Sequence, residues 1–550
     1  MTSVLVLALI LAQQANPPEK ATVSGTVVDS ITGQPLDKVR IIAEHHNSHD
    51  PGASTTTDSK GEFTLIDLDP GEYRLSAKRS GYLETYYGAK DAFDYDGSPI
   101  VLTTDQSVDS LRMKMTPFGV IAGTVRDSDG EPFAGAAVDL FVIRHQNGRR
   151  VITLDDNSHN TDDLGQFRFA GLRPGRYYIA ASASRHGEQV ATIDHSPKSV
   201  PHPDPAVPTF YPGTTDPSNA TAIDLAPAGR QTGVDITLLH SRLHKLIVHI
   251  QAAAGQRVNG RLTYAEEQFG QVGDSNTDKE TVVVTSVPSG SYVFRFGASE
   301  PGKQTPGVLD FTESSNGCDA SMPVVIDKDD TVEMTATAPA CAQITGHVIT
   351  DNGKPLKEPG GWGYTFVLDN KDNGHFYLKA DGSFRMTVAP GNHTLDFSDI
   401  RDENNLYIKS IRSGNQDLLR SGLTVNGGDH LDLEVVLGSD GGRVDGAVSD
   451  ADGKPVPAAM VVLIPNDPAL RSRLDYTPST TTTQAGHYEI KAIAPGDYKL
   501  FAFDDIEKES WLDPDVLRDF ESRGTPVTVK PGDPNAKDTP AQTVDLKLIQ

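Results

Sequence analysis

Three short motifs recur in the same order along this 550-residue chain, and the repetition constrains its fold more than any other feature. Self-similarity of this kind is the signature of an array of similar units. The first motif is a Gly-x-Val strand followed by an acidic turn and Gly-x-Pro. Its four clear copies begin at Gly25, Gly123, Gly346 and Gly446.

The second motif is Gly-x-aromatic followed by Pro-Gly-x-Tyr. Its Pro-Gly steps begin at Pro70, Pro174, Pro390 and Pro495, and a degenerate copy runs from Pro288 to Tyr292. The third motif is a closing strand of alternating apolar and polar residues, clearest at Val234 to Leu238, Leu431 to Val435 and Val544 to Leu548. Together these copies predict five repeats, which we call modules 1 to 5.

The motifs predict β-structure for local physical reasons. The segment Tyr73 to Lys78 alternates apolar and polar side chains, so one face packs on a core and the other meets water. Proline restricts φ and glycine accepts a positive φ, so Pro-Gly predicts a type II turn into this strand. Several short strands per module, separated by turn residues, predict a β-sandwich. One short helix is predicted from Pro514 to Ser522, with Asp513 as its N-cap.

The order Gly-x-Val, Gly-x-Pro, Gly-x-Phe and Pro-Gly-x-Tyr resembles the carboxypeptidase regulatory-like domain. The resemblance is good in modules 1, 2, 4 and 5 and poor in module 3, and the whole chain looks like a bacterial exported protein with such tandem domains. The resemblance implies a transthyretin-like, or prealbumin-like, β-sandwich, a fold class linked to carbohydrate binding by analogy. We therefore expect an all-β tandem array of five transthyretin-like or Ig-like β-sandwich domains, with one short helix near the C-terminus.

The predicted domain boundaries follow the motif copies. We expect a signal peptide at residues 1–15 and modules at 16–116, 117–240, 241–340, 341–438 and 439–550, the third being degenerate. The apolar run from Val4 to Ala12 is shorter than the roughly 20 residues that cross a bilayer, and small residues follow it, as in a secretory signal. No membrane span is predicted, and we expect export to the periplasm or outside the cell.

The charge balance excludes one class of partner. Against 75 Asp and Glu stand 49 Lys and Arg, which gives a net charge of −26. A field of this sign repels phosphate backbones, so no nucleic acid is expected as a partner. The apolar fraction of 37% suits several small sandwiches, which have much surface and little core.

The chain has only two cysteines, Cys318 and Cys341. In an exported protein an even number of cysteines favours pairing, so one disulfide is expected, with two buried thiols as the alternative. Closing a loop of this length would stabilise the fold by about 3 kcal/mol in the chain-entropy model. Two cysteines alone do not make a zinc site that needs three or four thiolates.

The sequence carries no complete catalytic signature. None of the 16 histidines begins a His-x-x-Glu pair, and the His-Glu-x-x-His motif of zinc peptidases is absent. No nucleophile elbow, phosphate-binding loop or dinucleotide fingerprint occurs either. We therefore predict a protein that is not an enzyme and that has no cofactor.

Two features invite a metal-binding interpretation that we do not adopt. His45, His46 and His49 form the only tight histidine cluster, and we expect it to be a solvated hairpin loop. The stretches that begin at Asp127 and Asp450 resemble the start of a calcium loop, but they lack its later oxygen ligands. Because hairpin turns favour Asp-Gly for backbone reasons, we expect ordinary turns there.

Aromatic residues in loops are the candidate ligand contacts, since a flat ring stacks on the face of a sugar. We select Tyr86, Tyr87, Tyr211 and Trp362 as candidate ligand-binding residues. The alternative is that such rings cover the ends of the sandwich cores.

Taken together, the sequence predicts a non-enzymatic, exported, multidomain binding or scaffold protein. Its expected partner is a carbohydrate or a cell-envelope protein. A purely structural spacer or adhesin-like surface protein is the main alternative, and an accessory region of a peptidase or glycan-processing system is a third. The sequence predicts neither the ligand nor the oligomeric state.

Overall fold

The computed structural model describes residues 20–45, 52–89, 97–146, 149–155, 158–183, 204–265, 269–299, 318–353, 365–369, 375–379, 381–398, 405–504, 506–533 and 540–549. These residues form two compact units, one holding those up to Thr116 and the other those from Pro117 onward. The predicted all-β fold class is confirmed. Strand pairing in the described ranges falls into five successive groups, which coincide with modules 1 to 5. The count of five domains stays a prediction.

Module 1 is the first compact unit. Its strands are β1 (Ala21–Asp29), β2 (Arg40–His45), β3 (Ala53–Thr56), β4 (Glu62–Leu68), β5 (Gly71–Lys78), β6 (Thr85–Tyr86), β7 (Ile100–Leu102) and β8 (Ser107–Met115). One sheet has the order β4-β1-β8, and the other has the order β3-β2-β5-β6 with β7 also paired to β5. Apolar side chains at alternate strand positions are buried, and they form a core between the two sheets.

Modules 2 and 3 begin the second compact unit. The strands of module 2 are β9 (Gly119–Arg126), β10 (Ala137–Gln146), β11 (Arg149–Leu154), β12 (His159–Asn160), β13 (Gln166–Leu172), β14 (Gly175–Ser182), β15 (Ala206–Val207), β16 (Thr209–Phe210), β17 (Ile223–Leu225), β18 (Arg230–Gln231), β19 (Ile236–Thr237) and β20 (Leu239–His240). Those of module 3 are β21 (Leu243–Gln251), β22 (Arg257–Thr263), β23 (Asp274–Asp278), β24 (Thr281–Pro288), β25 (Gly290–Ser299), β26 (Asp319–Ile326) and β27 (Thr331–Thr337).

Modules 4 and 5 complete the second unit. The elements of module 4 are β28 (Ala342–Thr350), β29 (Thr365–Leu368), β30 (His375–Tyr377), β31 (Ser383–Val388), β32 (Gly391–His393), β33 (Leu395–Ser398), β34 (Tyr407–Ser413), β35 (Gln416–Asp417), the helix α1 (Leu418–Ser421), β36 (Leu423–Val425) and β37 (His430–Gly438). Those of module 5 are β38 (Gly442–Ser449), β39 (Met460–Pro465), β40 (Ser479–Thr481), β41 (His487–Ile493), β42 (Gly496–Phe503), the helix α2 (Pro514–Arg518), β43 (Thr525–Val529), β44 (Gln542–Thr543) and β45 (Leu546–Lys547).

All five modules share one strand arrangement. In module 1 the first strand, β1, lies in the middle of its sheet, antiparallel to β4 and parallel to the closing strand β8. The same relation holds for β21 with β24 and β27, and for β28 with β31 and β37. In modules 2 and 5 the closing strand is split into two short pieces that both pair parallel with the first strand. The third sequence motif is therefore the parallel partner of the first.

The glycine of the Gly-x-Val motif is required by close backbone approach. A side chain at Gly25 would collide with the carbonyl of Leu111 on the closing strand, and one at Gly446 would collide with the carbonyl of Val544. The glycine of the Gly-x-aromatic motif has a different reason, because its φ is positive: 73° at Gly61 in module 1. Only glycine adopts that conformation at little cost.

The Pro-Gly steps differ from the predicted type II turn. The glycine φ is 156° at Gly71 and 159° at Gly175, far from the roughly +80° of a type II turn. Each glycine already belongs to the following strand, since β5 begins at Gly71 and β14 at Gly175. The type II assignment is therefore wrong, although the position of the chain reversal is right.

The tyrosine of Pro-Gly-x-Tyr stabilises the chain reversal at this step. Its buried hydroxyl donates a hydrogen bond to the carbonyl four residues earlier, so the strand start is tied to the end of the preceding strand. In module 4 the Nε2 atom of a histidine takes the place of that hydroxyl. The pairs are Tyr73 with Asp69 (3.0 Å), Tyr177 with Arg173 (2.8 Å), Tyr292 with Pro288 (3.0 Å), His393 with Ala389 (2.8 Å) and Tyr498 with Ala494 (2.8 Å).

The predicted C-terminal helix begins as expected but is shorter. The Asp513 carboxylate accepts a hydrogen bond from the backbone N–H of Asp515 at 2.9 Å, as an N-cap should. The α-helix ends at Arg518, because the N–H of Phe520 bonds to the carbonyl three residues earlier and the chain continues as a 3-10 turn at Glu521–Arg523.

Candidate functional site

The candidate ring of Tyr86 lies on the edge strand β6 of module 1 and is half-buried. The Arg74 guanidinium lies 5.2 Å from the ring centroid and is paired with Glu44 at 3.0 Å. The Tyr86 hydroxyl donates to Glu84 at 3.3 Å, and Glu84 also binds Lys78. Burial, with the nearby Glu84 charge, raises the Tyr86 pKa. One face of this ring is therefore occupied by a cation and its rim is charged.

Tyr87 is a core residue, which corrects its selection as a ligand contact. It is 6% exposed and packs among the apolar side chains of module 1. Its backbone N–H donates to Leu75 at 2.9 Å, and burial raises its pKa. Tyr87 follows the end of β6 in a turn, and there its side chain packs into the core, whereas Tyr86 stays on the edge strand.

Of the two remaining aromatic candidates, the structure describes Tyr211 only. Tyr211 is half-buried and packs against the core of module 2, next to the cis peptide bond that joins it to Pro212. Trp362 lies outside the described residues. The other tryptophan, Trp511, is 3% exposed in module 5, where it packs beside Phe501 and Phe503.

A disulfide joins Cys318 and Cys341, whose Cα atoms are 5.9 Å apart. Cys318 immediately precedes β26 of module 3, and Cys341 immediately precedes β28 of module 4. The disulfide therefore fixes the short connection between the two modules to the sheet of module 3.

The acidic turns use their carboxylates within the turn itself. Asp127 accepts hydrogen bonds from the N–H groups of Asp129 and Glu131 at 3.0 and 2.9 Å. Asp450 does the same with Asp452 and Lys454. In the part of the chain that the structure describes, no three His, Cys, Asp or Glu side chains come together as metal ligands. Of the histidine cluster, His45 ends β2, whereas His46 and His49 lie outside the described residues.

Modules 2 and 3 share an aromatic core. Phe269, between β22 and β23 of module 3, is 4% exposed. Its ring centroid lies 5.1 Å from that of Phe141 and 5.2 Å from that of Phe210, both on module 2. Phe210 also makes an edge contact with Tyr264 of module 3 at 5.5 Å. Aromatic pairs at these spacings add about 0.5–1.5 kcal/mol each beyond the area that they bury.

Modules 4 and 5 meet through both apolar and charged contacts. Leu470 and Tyr476 of module 5 pack into the core of module 4, and the Tyr476 hydroxyl donates to the carbonyl of Ile408 at 2.6 Å. Between the modules lies a buried group of three charged side chains, Asp396 of module 4 with Arg473 and Asp475 of module 5. We call it the 396–473–475 cluster; its side chains are 4%, 5% and 6% exposed.

Arg473 is bound mainly by its own module. Its Nε and Nη2 atoms donate to the two carboxylate oxygens of Asp475 at 3.0 and 2.6 Å. Nη2 also donates to the carbonyl of Leu395 in module 4 at 2.8 Å, whereas Asp396 Oδ1 lies 3.5 Å away. Burial opposes the charged form of Arg473, but the charges of Asp475 and Asp396 outweigh it and raise its pKa.

Asp396 is the least satisfied of the three groups. Among the described residues no N–H group donates to either of its carboxylate oxygens, and the Asp475 carboxyl group lies beside it. Burial, followed by the charge of Asp475, raises the pKa of Asp396 to about 7, although Arg473 acts in the opposite direction. The direction follows from the geometry, because the guanidinium is already neutralised by Asp475.

Sequence reasoning missed both module junctions. Phe269 and Arg473 stand in irregular segments outside the repeated motifs, where periodicity predicts nothing about their contacts. One available signal was a comparison of the copies with each other. His393 replaces the motif tyrosine only in module 4, next to the charged cluster.

Comparison with known proteins supports the predicted family. Residues 22–115 and 120–208 match the family model of the carboxypeptidase regulatory-like domain. These two segments are similar to the carboxypeptidase regulatory-like domain. They correspond to modules 1 and 2, the second match ending within module 2. The resemblance predicted for modules 4 and 5 lies outside the two matched ranges.

Individual relatives are distant from this chain. Colossin-A of Dictyostelium discoideum is 26% identical over 155 residues, which are 27% of this chain and 1% of that protein. A streptococcal ancillary pilin matches 56% of this chain and 99% of its own at 12% identity and a TM-score of 0.18. A minor pilin of Streptococcus agalactiae matches 40% of this chain and 96% of its own at 15% identity and a TM-score of 0.21. Nothing further about this chain follows from TM-scores this low.

The described helices are short. None of them is long and apolar enough to cross a membrane.

Proposed function

We propose that this chain is a non-enzymatic, exported scaffold protein whose carboxypeptidase regulatory-like and related modules hold binding surfaces at set positions. One observation carries the proposal, namely the shared core of modules 2 and 3. Phe269 and Phe210 are each almost fully buried, although they belong to different modules. Packing of this density keeps neighbours in one orientation, which a scaffold needs.

The export part of the proposal has two supports. The apolar run from Val4 to Ala12 and the small residues after it suit a signal peptide at residues 1–15. The disulfide between Cys318 and Cys341 suits an oxidising compartment, where such bonds persist. On this proposal the mature protein works in the periplasm or outside the cell, and its partner is a cell-envelope protein or a glycan.

The scaffold proposal is tested at the junction of modules 2 and 3. Phe269→Ala removes the ring that contacts Phe141 and Phe210. We expect small-angle scattering to show a broader distribution of interatomic distances, while circular dichroism retains the strand signal. The control is Phe169→Ala, which leaves a cavity inside module 2 away from this junction. An unchanged scattering profile for Phe269→Ala would remove the observation on which the proposal depends.

The non-enzymatic part is tested separately. Purified protein is incubated with peptide and polysaccharide substrates, and we expect no turnover above a buffer blank. Reproducible turnover that a single substitution abolishes would overturn this part and leave the junction measurements untouched. It would also favour an accessory role in peptidase or glycan processing.

A glycan-binding role is the second candidate, and the surroundings of Tyr86 favour it. A half-buried ring flanked by Arg74, Glu44, Lys78 and Glu84 offers stacking together with charged hydrogen-bonding groups. Sugar recognition in general combines a flat apolar face with a few directed polar groups. Tyr211 and Trp362 remain proposed contacts because they are loop aromatics in the sequence, whereas the burial of Tyr87 removes it.

The glycan candidate is tested on a glycan array. Tyr86→Ala should abolish binding, while the matched control Tyr86→Phe keeps the ring and should retain most of it. Tyr211→Ala and Trp362→Ala are screened in the same way. If the wild-type protein binds no glycan, this candidate is discarded and the purely structural spacer remains.

A further inference from the structure

At the junction between modules 4 and 5, the 396–473–475 cluster contains one more acidic group than its single guanidinium binds. The 396–473–475 cluster places two carboxyl groups around a single guanidinium in a region where each side chain is at least nine-tenths buried. A buried charge without a partner is strongly unfavourable, whereas a protonated carboxyl group is not. The charge state of this cluster therefore affects how firmly the two modules are joined.

The hydrogen-bond geometry of the described residues shows which acid receives no N–H group from Arg473. The Nη2 atom of Arg473 has two N–H groups, and they point to Asp475 and to the carbonyl of Leu395. No Nη2 hydrogen remains for Asp396, whose 3.5 Å contact with that atom is only Coulombic. The Arg473–Asp475 pair is neutral as a unit and lies within module 5. Asp396, on β33 of module 4, faces this pair from across the junction.

We propose that the 396–473–475 cluster is a pH-sensitive latch between modules 4 and 5. A proton on Asp396 keeps the buried cluster neutral and the junction closed. When that proton passes to solvent, the cluster carries a net negative charge and the junction loosens.

Within the described ranges, four ionisable side chains near Asp396 bear on the direction of this effect: Asp369, His393, Arg473 and Asp475. From the end of β29, Asp369 adds negative charge, which also favours protonation of Asp396. The His393 ring lies between Asp369 at 2.9 Å and the Ala389 carbonyl at 2.8 Å, so both of its nitrogens face acceptor oxygens. From module 5, the charge of Asp475 raises the pKa of Asp396, and the charge of Arg473 lowers it.

The pH window follows from the pKa of Asp396. Its ordinary value is 3.8, and in the folded protein burial and Asp475 raise it to about 7. A carboxyl group whose folded pKa is raised stabilises the fold in its protonated form, and that contribution is lost as pH rises from about 4 to about 7. The carboxylates of Asp351, Asp467 and Glu521 have lowered pKa values and act only below that window. The junction should therefore loosen as pH rises from about 4 to about 7, with little further change above that.

The test is differential scanning calorimetry of the full chain at several pH values from 5 to 8. In the wild type we expect the transition of modules 4 and 5 to move to lower temperature as pH rises. Asp396→Asn, which mimics the protonated acid, should remove most of that shift. The matched control Asp467→Asn breaks the exposed ion pair between Arg420 and Asp467, which also joins these two modules, and should keep the wild-type pH dependence.

A second variant and a local measurement protect the test against a folding defect. Asp475→Asn frees Arg473 to pair with Asp396, so the pH-dependent shift should move to lower pH. Hydrogen exchange of residues 474–477, corrected for the intrinsic rate, should increase from pH 5 to pH 8 in the wild type and not in Asp396→Asn. A wild-type transition that does not change with pH, or an Asp396→Asn protein with the full wild-type shift, would overturn the proposal.

Discussion

The Nε2 atom of His393 lies 2.8 Å from the carbonyl oxygen of Ala389, in the place that a tyrosine hydroxyl occupies in the other four modules. A tyrosine has one polar atom for this role, whereas histidine has a second nitrogen, which lies 2.9 Å from Asp369. The same turn is therefore fastened in all modules, but in module 4 it is also connected to the charges near the junction.

The hydrogen bond of the motif tyrosine should contribute measurably to the free energy of unfolding. Tyr177→Phe removes the hydroxyl group that donates a hydrogen bond to the backbone carbonyl of Arg173, so this hydrogen bond is lost. We expect a loss of about 1 kcal/mol in the free energy of unfolding, the usual net value of such a bond. Chemical denaturation followed by circular dichroism measures it. Tyr211→Phe, a half-buried ring of the same module, should lose less; an equal loss would contradict this role of the motif tyrosine.

The glycine of the Gly-x-Val motif should not tolerate a side chain. In Gly446→Ala the new methyl group would meet the carbonyl of Val544 and the ring of Tyr488. Overpacking of this kind costs about 1–3 kcal/mol or more. Gly213→Ala is the matched control, since its φ is not positive and no atom lies within 4 Å of the added carbon. Thermal unfolding should separate the two variants; equal melting temperatures would refute the steric explanation.

The shared aromatic core should couple the stabilities of modules 2 and 3. Phe269→Ala creates a cavity beside Phe141 and Phe210, and a buried phenylalanine deletion costs about 3–5 kcal/mol. Hydrogen exchange should therefore increase in β14 of module 2 as well as in module 3. For comparison, Phe169→Ala leaves its cavity within the core of module 2. Exchange confined to module 3 in the Phe269→Ala protein would show that the contact does not couple the modules.

Breaking the disulfide should destabilise the region around the connection between modules 3 and 4. The chain-entropy model gives about 3 kcal/mol for a loop in which the cysteines are 23 residues apart. Unfolding by urea with and without reductant measures the difference, and the Cys318→Ser/Cys341→Ser double variant should reproduce the reduced value. If reductant lowers the stability of that double variant too, its effect does not come from this bond.

Much of the fold was predictable because it is encoded locally and repeatedly. Gly61 reveals its positive φ through its position in a motif, and the alternation after Tyr73 reveals a strand with one buried face. The conformation of the Pro-Gly step was not predictable in the same way. Dipeptide statistics favour a type II turn, whereas in the fold Gly71 is already drawn into strand pairing.

The candidate site was less predictable, because it depends on contacts between distant parts of the chain. Tyr87 looks like an exposed loop aromatic in the sequence, yet it lies in the core of module 1, since burial is decided by what packs above it. The pairing of Asp396 with Arg473 joins residues of different modules and has no local pattern.

The parallel pairing of each module's first and last strands has a consequence for biosynthesis. A chain that emerges N-terminus first places β1 early, but β1 lacks one of its two neighbours until β8 follows. Since the closing strand is the last segment of a module, no module can complete its sheet before that segment has appeared. Long-range pairings of this kind also form slowly. If the protein is exported as proposed, each module can cross a translocation pore as an incomplete sheet for as long as its closing segment has not yet crossed.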